Sequence, residues 1–283
     1  MIRDHNGVGD VPGGSVGDPR MAPIQRFAAV KELKSAFENE FGYDAAHNKF
    51  FKRYLVDKRV ADFGCGHGLS TFYVADVAKE VIGYDIDSNA VNYALELKRR
   101  WAVHNVDFRF LRSNLTGAAD YKYDVILSSD VLEHVARPDL YLSEAHRICA
   151  LDGLLLLSTP NGQVTHGDPR LIRRNSPFHF MEYTPIELEA MLEHAGFTIL
   201  ESFAQKRLRK TGNIALRDAL AASRVNEVIM THNVLQRVWK FYRRVSLRIS
   251  AHSIEDFRIE PEDVSSMTAA NCETILVVCM RRA

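Results

Sequence analysis

The sequence of 283 residues is poor in cysteine and has neither a long apolar run nor an excess of one charge. Its four cysteines form no C-x-x-C pair and accompany no secretory signal, so neither a disulfide framework nor a thiolate zinc site is indicated. The longest wholly apolar stretch, near residues 154–157, is far shorter than the roughly 20 residues that cross a bilayer. We therefore expect a reducing, cytoplasmic compartment and no membrane-spanning segment.

Charge is balanced over the whole chain but not along it. The 36 Lys and Arg residues equal the 36 acids in number, so no global field attracts nucleic acid or membrane. Residues 204–248 nevertheless hold 11 Lys or Arg against two acids, a net of +9. The overlapping stretch at residues 224–249 places apolar side chains near one helical face. This pattern fits a lid with solvated arginines, or a basic helix that touches an anionic membrane or an anionic substrate.

Short apolar runs alternate with helical patterns between residues 59 and 203, and another apolar run follows at residues 274–280. This order predicts an α/β domain with seven strands in a mostly parallel sheet and helices on both faces. We expect residues 59–203 and 274–283 to form this main domain. The other expected parts are a disordered tail at 1–23, a helical cap at 24–58, and a basic helical insertion at 204–273.

Three glycines follow the first predicted strand, in the run VADFGCGHG at residues 60–68. A dinucleotide site would have G-x-G-x-x-G with a pyrophosphate on the helix N-terminus, whereas this run has G-x-G-x-G after Asp62. Negative charge at Asp62 disfavours a pyrophosphate and suits a cationic ligand. Asp85, at the end of the second strand, is placed to accept hydrogen bonds from ribose hydroxyls.

Two further runs, GYDIDS at residues 83–88 and YDVILSSDVLEHV at 123–135, accompany the glycine motif. Together the three resemble the class I methyltransferases that use S-adenosylmethionine. The resemblance extends over about residues 59–203 and the last strand. It implies the Rossmann-like, seven-stranded sheet of that family and S-adenosylmethionine as the cofactor.

The resemblance also implies roles for single residues. Asp62 and the glycine backbone would hold the methionine part of the cofactor, Asp85 the ribose, and Ile86 the adenine. Asn114 stands where the family commonly has an acid for the adenine amino group, and its amide oxygen can accept the same hydrogen bond. The implied cofactor-binding set is Asp62, Gly64, Cys65, Gly66, Gly68, Asp85, Ile86, Asn114, Leu115 and Ser129.

A hydroxyl acceptor of a methyl group needs its proton removed by a base or its pKa lowered by a metal. Glu133 and His134 lie just past the fourth strand, at the sheet edge where such folds bind ligands. His179 precedes a helix for which the run TPIE at residues 184–187 predicts a capping box. We predict Glu133, His134 and His179 as catalytic residues, with either histidine as the base.

The acid-x-x-Glu-His pattern with a distal histidine is also similar to two metal-using branches of the family. These are the quinone-biosynthesis O-methyltransferases and the small-RNA 3′-terminal 2′-O-methyltransferases. The similarity implies Asp130, Glu133, His134 and His179 as ligands of a divalent ion such as Mg²⁺, with Asp130 where glutamate is usual. In other members of the superfamily the histidine lines the acceptor pocket without a metal, so both interpretations stay open at this point.

Three functions are compatible with these residues. The main prediction is S-adenosylmethionine-dependent O-methylation of a small-molecule, glycan or lipid-linked acceptor. The second is a metal-assisted RNA 2′-O-methyltransferase, although no RRM or KH signature for nucleic acid is present. The third is a non-catalytic module that binds the cofactor, against which the intact cofactor positions argue.

Overall fold

The computed structural model describes residues 29–112, 115–165, 179–207, 254, 257–268 and 271–282. The helices are α1 (Val30–Glu40), α2 (Gly42–Leu55), α3 (Leu69–Val74), α4 (Ser88–Trp101), α5 (Pro138–Ile148), α6 (Gly162–Thr165) and α7 (Pro185–His194). The strands are β1 (Arg59–Phe63), β2 (Glu80–Asp85), β3 (Val106–Phe110), β4 (Tyr123–Ser129), β5 (Cys149–Pro160), β6 (Phe197–Arg207), β7 (Phe257–Pro261) and β8 (Thr274–Arg281).

Among the described residues, the eight strands form one mixed sheet in the order β3-β2-β1-β4-β5-β8-β6-β7. Strands β1 to β5 pair in parallel, as buried βαβ units do. Strand β8 lies antiparallel between β5 and β6, and β7 pairs antiparallel with β6 at the edge. The predicted α/β class with a mostly parallel sheet is therefore confirmed.

The predicted strand count of seven is wrong, because the described residues contain an eighth strand, β7. This strand lies inside residues 204–273, which were expected to be helical, and β6 also continues into them as far as Arg207. The run FRIEP alternates apolar and charged side chains, but it is only five residues long and ends in proline, and its backbone pairs with the free edge of β6. The expected tail and the basic helix at 224–249 lie outside the described residues.

Each face of the sheet is covered by its own apolar core. On one face, α1 and α2 pack beside α3 and α4, and their side chains, such as Phe37 and Phe51, join those of β1 and β4. On the other face, α5 and α7 contribute Leu142 and Leu192. Within the described part of the chain, no helix combines the length and apolar character that crossing a membrane requires.

The strand order places a topological switch between β1 and β4. From β1 the chain runs outward through β2 to β3, whereas from β4 it runs the other way to β5. The loops after these two neighbouring strands diverge to opposite sides and leave a crevice at the carboxyl ends, where open α/β sheets bind ligands. The glycine run follows β1 and the run DVLEH follows β4, so both sequence motifs meet at this crevice.

Candidate active site

A cavity of about 150 Å³ occupies the crevice between β1 and β4. Its walls come from the glycine turn at Gly64 and Gly66, from Ser129 and Asp130 at the end of β4, and from α2 through His47. The chain thus brings two predicted cofactor-binding segments together and adds a helix that lies before them in the sequence.

The glycine turn requires a backbone that other residues rarely adopt. Gly64, Gly66 and Gly68 have φ values of +87°, +52° and +85°, in the left-handed region that glycine enters without steric cost. A Cβ on Gly64 would also lie 2.5 Å from Cγ1 of Val131. Cys65 between them is buried, and burial raises the pKa of its thiol well above the ordinary range. This agrees with a packing role for Cys65 and not with a nucleophilic thiolate.

Asp85 ties the glycine turn to the end of β2. One carboxylate oxygen accepts a hydrogen bond from the Gly66 N–H at 2.7 Å, and the other accepts from the Asp87 N–H at 2.8 Å. Burial raises the pKa of Asp85, and the two backbone N–H groups partly oppose that shift. Each carboxylate oxygen can accept a second hydrogen bond, so the position fits the predicted contact with ribose hydroxyls.

Two large apolar side chains are exposed near this edge. Ile86, directly after β2, is 67% exposed, and Leu115, beyond the end of β3, is 59% exposed. Water contact of this extent is unfavourable, and a flat aromatic base packed on them would relieve it. The two side chains therefore fit the predicted adenine site, whereas Asn114 lies outside the described residues.

Asp62 lies beneath the glycine turn and is buried. Its side chain is 1% exposed, and its Oδ2 accepts hydrogen bonds from the hydroxyls of Ser70 at 2.8 Å and Thr71 at 2.6 Å. Burial raises the pKa of Asp62 to about 6, although both hydroxyls favour the charged form. Asp62 thus joins the end of β1 to the first turn of α3 and braces the glycine turn from beneath.

The raised pKa of Asp62 predicts a pH-dependent cost to stability. A carboxyl group with a higher pKa in the folded chain binds its proton more tightly there, so stability falls as pH rises from about 4 to about 6. We expect Asp62→Asn, which keeps an oxygen for both hydroxyls, to raise the free energy of unfolding at pH 8 by up to about 3 kcal/mol. Urea unfolding at pH 4.5 and pH 8 measures the difference.

The matched control for Asp62 is Asp124, whose pKa is shifted the other way. Hydrogen bonds from Arg59, with the Nη2 to Oδ1 distance at 2.7 Å, lower the pKa of Asp124. The ionised Asp124 carboxylate contributes to the free energy of unfolding at neutral pH, and this contribution is lost as pH falls. Asp124→Asn should therefore destabilise the protein at pH 8. Equal effects of the two substitutions at pH 8 would contradict the assigned shifts.

Glu133, His134 and His179 form a compact cluster in which Glu133 and His134 follow the end of β4. Potential ligand atoms of the three side chains all lie within 4.8 Å of one another. The rings of His134 and His179 meet edge to face with centroids 4.6 Å apart. His179 Nδ1 lies 2.5 Å from Oε1 of the buried Glu182. When Glu182 is ionised and the ring of His179 is neutral, Nδ1 carries the proton donated to Glu182 and Nε2 is left as an acceptor.

The cluster is held by the loop that carries His179. The N–H of Phe180 donates to the Glu133 carbonyl at 2.7 Å, which ties the loop to the segment after β4. The predicted capping box at Thr184 and Glu187 is confirmed, and it fixes where α7 begins after this loop. Burial raises the pKa of Glu133 well above its ordinary range, and the negative charges of Asp130 and Glu182 raise it further. Three neighbouring carboxyl groups thus favour a positive partner.

Asp130, the fourth residue of the predicted metal set, is not part of this cluster. Its Oδ1 accepts a hydrogen bond from the Ser158 hydroxyl at 3.0 Å, and its Oδ2 lies 3.6 Å from Nε2 of His47. Asp130 is kept away from the cluster by its own backbone, which has φ +52° and whose N–H donates to the carbonyl of Ser158 on β5. The described residues therefore unite three of the four predicted ligands.

Two polar residues of α2 reach the site without having been assigned to it from sequence. His47 is fully buried in the cavity wall, and Asn48 accepts a hydrogen bond from the Ser129 hydroxyl at 3.2 Å. The available signal was their position, since both precede the buried Phe51 by three or four residues and so occupy the face of α2 that is buried. A polar side chain on such a face indicates a buried polar contact.

Comparison with known proteins identifies the family. The model of the methyltransferase domain family matches residues 36–202, more than half of the chain. A probable S-adenosylmethionine-dependent methyltransferase of Mycolicibacterium smegmatis is 28% identical over 227 residues, covering 77% of this chain and 84% of the relative. A ubiquinone biosynthesis O-methyltransferase of Azorhizobium caulinodans is 27% identical over 205 residues, covering 68% of this chain and 79% of the relative.

A solved structure supports the same fold. The S-adenosylmethionine-dependent methyltransferase from Aquifex aeolicus gives a TM-score of 0.50 at 20% identity, covering 66% of this chain and 93% of that one. The family match runs from α1 into β6, so it takes in the glycine turn, the end of β4 and the histidine cluster. The chain therefore belongs to the class I S-adenosylmethionine-dependent methyltransferases, and S-adenosylmethionine is its cofactor.

Proposed function

We propose that the protein transfers a methyl group from S-adenosylmethionine to a hydroxyl oxygen of a small molecule. The observation that carries the proposal is the contact between His179 Nδ1 and Glu182 Oε1, which leaves the second ring nitrogen beside His134 and Glu133 as a base. An amine or thiol acceptor has less need of such a base, whereas a hydroxyl must lose its proton. The O-methyltransferase activity in the name of the Azorhizobium caulinodans relative supports the same choice.

The residues of the site would act in two ways. When bound, S-adenosylmethionine supplies an electrophilic methyl group on a sulfonium sulfur. His179, oriented by Glu182, accepts the hydroxyl proton, and His134 packs against its ring and limits its rotation. Positioning of the acceptor oxygen in line with the methyl group supplies much of the remaining acceleration, since effective molarities of about 10⁵ to 10⁸ M are known for aligned groups.

The surroundings of the cluster favour an acceptor with an apolar body. Phe180 follows His179 directly, and its side chain is 59% exposed. Aromatic side chains that remain in water at a concave site are common in pockets for small molecules. A hydroxylated ring would place its oxygen at the histidines and its carbon face on Phe180. Glycan or lipid-linked acceptors, and a membrane contact through residues 224–249, stay predictions from sequence.

A metal-assisted version of the same reaction is the second candidate, because Glu133, His134 and His179 are arranged as three ligands. They would hold a divalent ion that lowers the pKa of the acceptor hydroxyl. Two imidazoles and one carboxylate suit Zn²⁺, Fe²⁺ or Mn²⁺, whereas Mg²⁺ prefers oxygen ligands throughout. The donor set thus favours a transition metal over the Mg²⁺ expected from sequence.

The proposal is tested with three aromatic probes of similar size, catechol, aniline and thiophenol, and S-adenosylmethionine labelled in its methyl group. We expect catechol to receive the label at least about ten times faster than the other two, because a base accelerates transfer to a hydroxyl and gives an amine or a thiol no comparable benefit. Preferred labelling of the amine or the thiol would contradict O-methylation.

The same assay separates the two candidate mechanisms. We expect transfer to continue in EDTA if His179 acts as a plain base. Loss of transfer in EDTA with recovery on addition of Mn²⁺ would favour the metal-assisted version. In that case Asp130→Asn should keep the metal response, since Asp130 lies outside the cluster, while Glu133→Gln should lose it.

A further inference from the structure

Arg281 is a buried arginine whose charge has no partner within the described residues. It is the last residue of β8 and is 7% exposed. Its Nε and Nη1 atoms are buried and make no hydrogen bond, and no carboxylate of the described chain forms an ion pair with it. A buried charge without a counter-charge is costly, and buried N–H groups are almost always satisfied. The guanidinium group therefore indicates a ligand that supplies the missing acceptor.

The acids of this region are already engaged by a different arginine. Arg147, near the end of α5, forms an ion pair with Asp120, and its Nη2 lies 2.8 Å from Oε1 of Glu144. Asp120 directly precedes Tyr121, whose ring covers Arg281 with its centroid 4.3 Å from Cζ. An acid is thus next in sequence to the residue that contacts Arg281, yet its carboxylate pairs elsewhere. The charge of Arg281 is left for a group that does not belong to the described chain.

Arg281 lies at the edge of the sheet opposite the crevice. Strand β8 runs antiparallel to β5, so Thr274 at its start pairs with Pro160 at the crevice edge. At its other end Met280 pairs with Leu154, and Arg281 follows. A ligand at Arg281 therefore occupies neither the cofactor site nor the histidine cluster.

His146 and Arg282 complete the polar surroundings of Arg281. His146 Nε2 lies 3.3 Å from the Arg282 carbonyl, so a neutral ring carries its proton on Nε2. Burial lowers the pKa of His146, and the positive charge of Arg281 lowers it further. The Arg282 side chain is exposed and donates to the Glu193 carbonyl on α7. At neutral pH the buried part of the site thus holds a single positive charge, which matches a singly charged anion better than a dianion.

We propose that Arg281 binds the carboxylate of a small organic acid, whose apolar body packs on Tyr121. A carboxylate accepts hydrogen bonds from two N–H groups of one guanidinium, and Arg281 has unused donors at Nε and Nη1. The Tyr121 side chain is 50% exposed, so it can turn aside without opening the core. Its ring then offers an aromatic surface beside the bound charge. A neutral molecule lacks the charge that the buried guanidinium requires.

The test compares benzoate with benzamide, which has the same ring but no charge, at constant ionic strength in a buffer without carboxylates or phosphate. The ¹⁵Nε resonance of Arg281 in the unmodified protein should move with benzoate, because a carboxylate then accepts its N–H. It should stay in place with benzamide. Equal movement with both probes would overturn the proposal, and so would a resonance that benzoate does not move, since water would then satisfy the donors.

Inorganic phosphate separates a carboxylate site from a general anion site. Titration of the same resonance gives the dissociation constant of each anion. We expect phosphate to bind more weakly than benzoate, because it has no apolar body for Tyr121 and carries more charge than the site neutralises. Phosphate that binds more tightly than benzoate would contradict the choice of a carboxylate.

Variants locate the binding energy at Arg281. We expect Arg281→Met to weaken benzoate at least about tenfold, the lower end for a hydrogen bond to a charged group. The rise in Tm that benzoate causes by mass action measures the loss. Without ligand, Arg281→Met should unfold at the same temperature or higher, because it removes a buried charge that has no partner. A large fall in Tm without ligand would contradict an unpaired charge at this position.

Two control variants distinguish this site from its alternatives. Arg282→Met removes the neighbouring exposed charge and should change benzoate affinity by less than about threefold, as exposed charges contribute little. His179→Ala should bind benzoate like the unmodified protein. Equal losses in Arg281→Met and Arg282→Met would mean a general effect of charge, and a loss confined to His179→Ala would place benzoate in the candidate active site. Either result would overturn the proposal.

Discussion

Replacing Asp85 by alanine is expected to weaken S-adenosylhomocysteine binding by at least about a hundredfold while the protein remains folded. Two ribose hydroxyls would each lose a charged acceptor, and a hydrogen bond to a charged group contributes about 1.5 to 3 kcal/mol. The turn also loses the anchor that Asp85 provides to the Gly66 N–H. Both effects act on the same ligand, and calorimetry measures their sum.

The two effects of Asp85→Ala are separated by a second ligand. The 2′-deoxy analogue of S-adenosylhomocysteine lacks one hydroxyl and should bind the unmodified protein more weakly than the parent. In Asp85→Ala the two ligands should bind equally well, because the acceptor for that hydroxyl is gone. A difference between them that persists in the variant would contradict the ribose contact, since such a cycle isolates the pairwise term.

Asp87 offers the matched control for Asp85. It is also an aspartate that accepts backbone N–H groups, those of Asn89 and Ala90, and it caps α4 instead of facing the cavity. Asp87→Ala should lower the free energy of unfolding by about 1 kcal/mol, as the loss of an N-cap does. Its affinity for S-adenosylhomocysteine should remain within about threefold of the unmodified protein.

The second large effect is expected from His179→Ala, which should lower kcat for a hydroxyl acceptor by about 10²- to 10⁴-fold. The reason is that His179 is the histidine whose ring is oriented by a buried carboxylate, through the 2.5 Å contact with Glu182. Affinity for S-adenosylhomocysteine should not change, because the predicted cofactor-binding residues Gly64, Gly66 and Ser129 line the cavity and His179 does not. Turnover is measured with catechol or another hydroxylated aromatic that accepts the label.

Glu182→Gln distinguishes a base from a packing residue at the same position. A glutamine keeps the size of the side chain but can turn its amide N–H₂ towards Nδ1, which would place the ring proton on Nε2. We expect a smaller fall in kcat than for His179→Ala, together with a changed pH profile. Identical profiles for Glu182→Gln and the unmodified protein would argue against orientation by Glu182.

His146 is the control for a general effect of removing a histidine. It lies on α5 at the opposite edge of the sheet, where its Nε2 is 3.3 Å from the Arg282 carbonyl and its ring packs on Phe197. Burial lowers the pKa of His146, as do the nearby positive charges of Arg281 and Arg282. His146→Ala should leave kcat within about twofold of the unmodified protein. A loss similar to that of His179→Ala would mean that the fall in kcat comes from destabilisation of the fold and not from loss of a base.

Local patterns were sufficient for most of the main sheet. The apolar runs at 60–63, 81–84, 106–111 and 123–128 correspond to β1, β2, β3 and β4 within two residues at each end, and α7 begins at Pro185, within the predicted capping box. These elements are bounded by glycines, charges or a capping box, so the signal lies within a few residues of each end. Strand β7 is different, because its pairing with β6, 50 to 58 residues earlier in the chain, makes it a strand.

The site shows the same division. The position of Asp85 and of the glycine turn at the sheet edge could be predicted, because a strand, a tight turn and a charged residue follow each other in the sequence. The hydrogen bonds of Asp62 with Ser70 and Thr71 could not be predicted, since they depend on how α3 packs over the end of β1. The separation of Asp130 from the other predicted metal ligands depends likewise on one left-handed residue and its contact with Ser158 on β5.

By itself the sequence determined the α/β class and the sheet edge at which ligands bind, because these follow from short-range periodicity and from motifs within single loops. The cofactor was implied by the resemblance of those motifs to a known family. Only the tertiary structure decided which side chains face one another across that edge. His47 and Asp130 are 83 positions apart, and His179 meets His134 across 45. Contacts at such separations depend on strand order and helix docking, which no local pattern encodes.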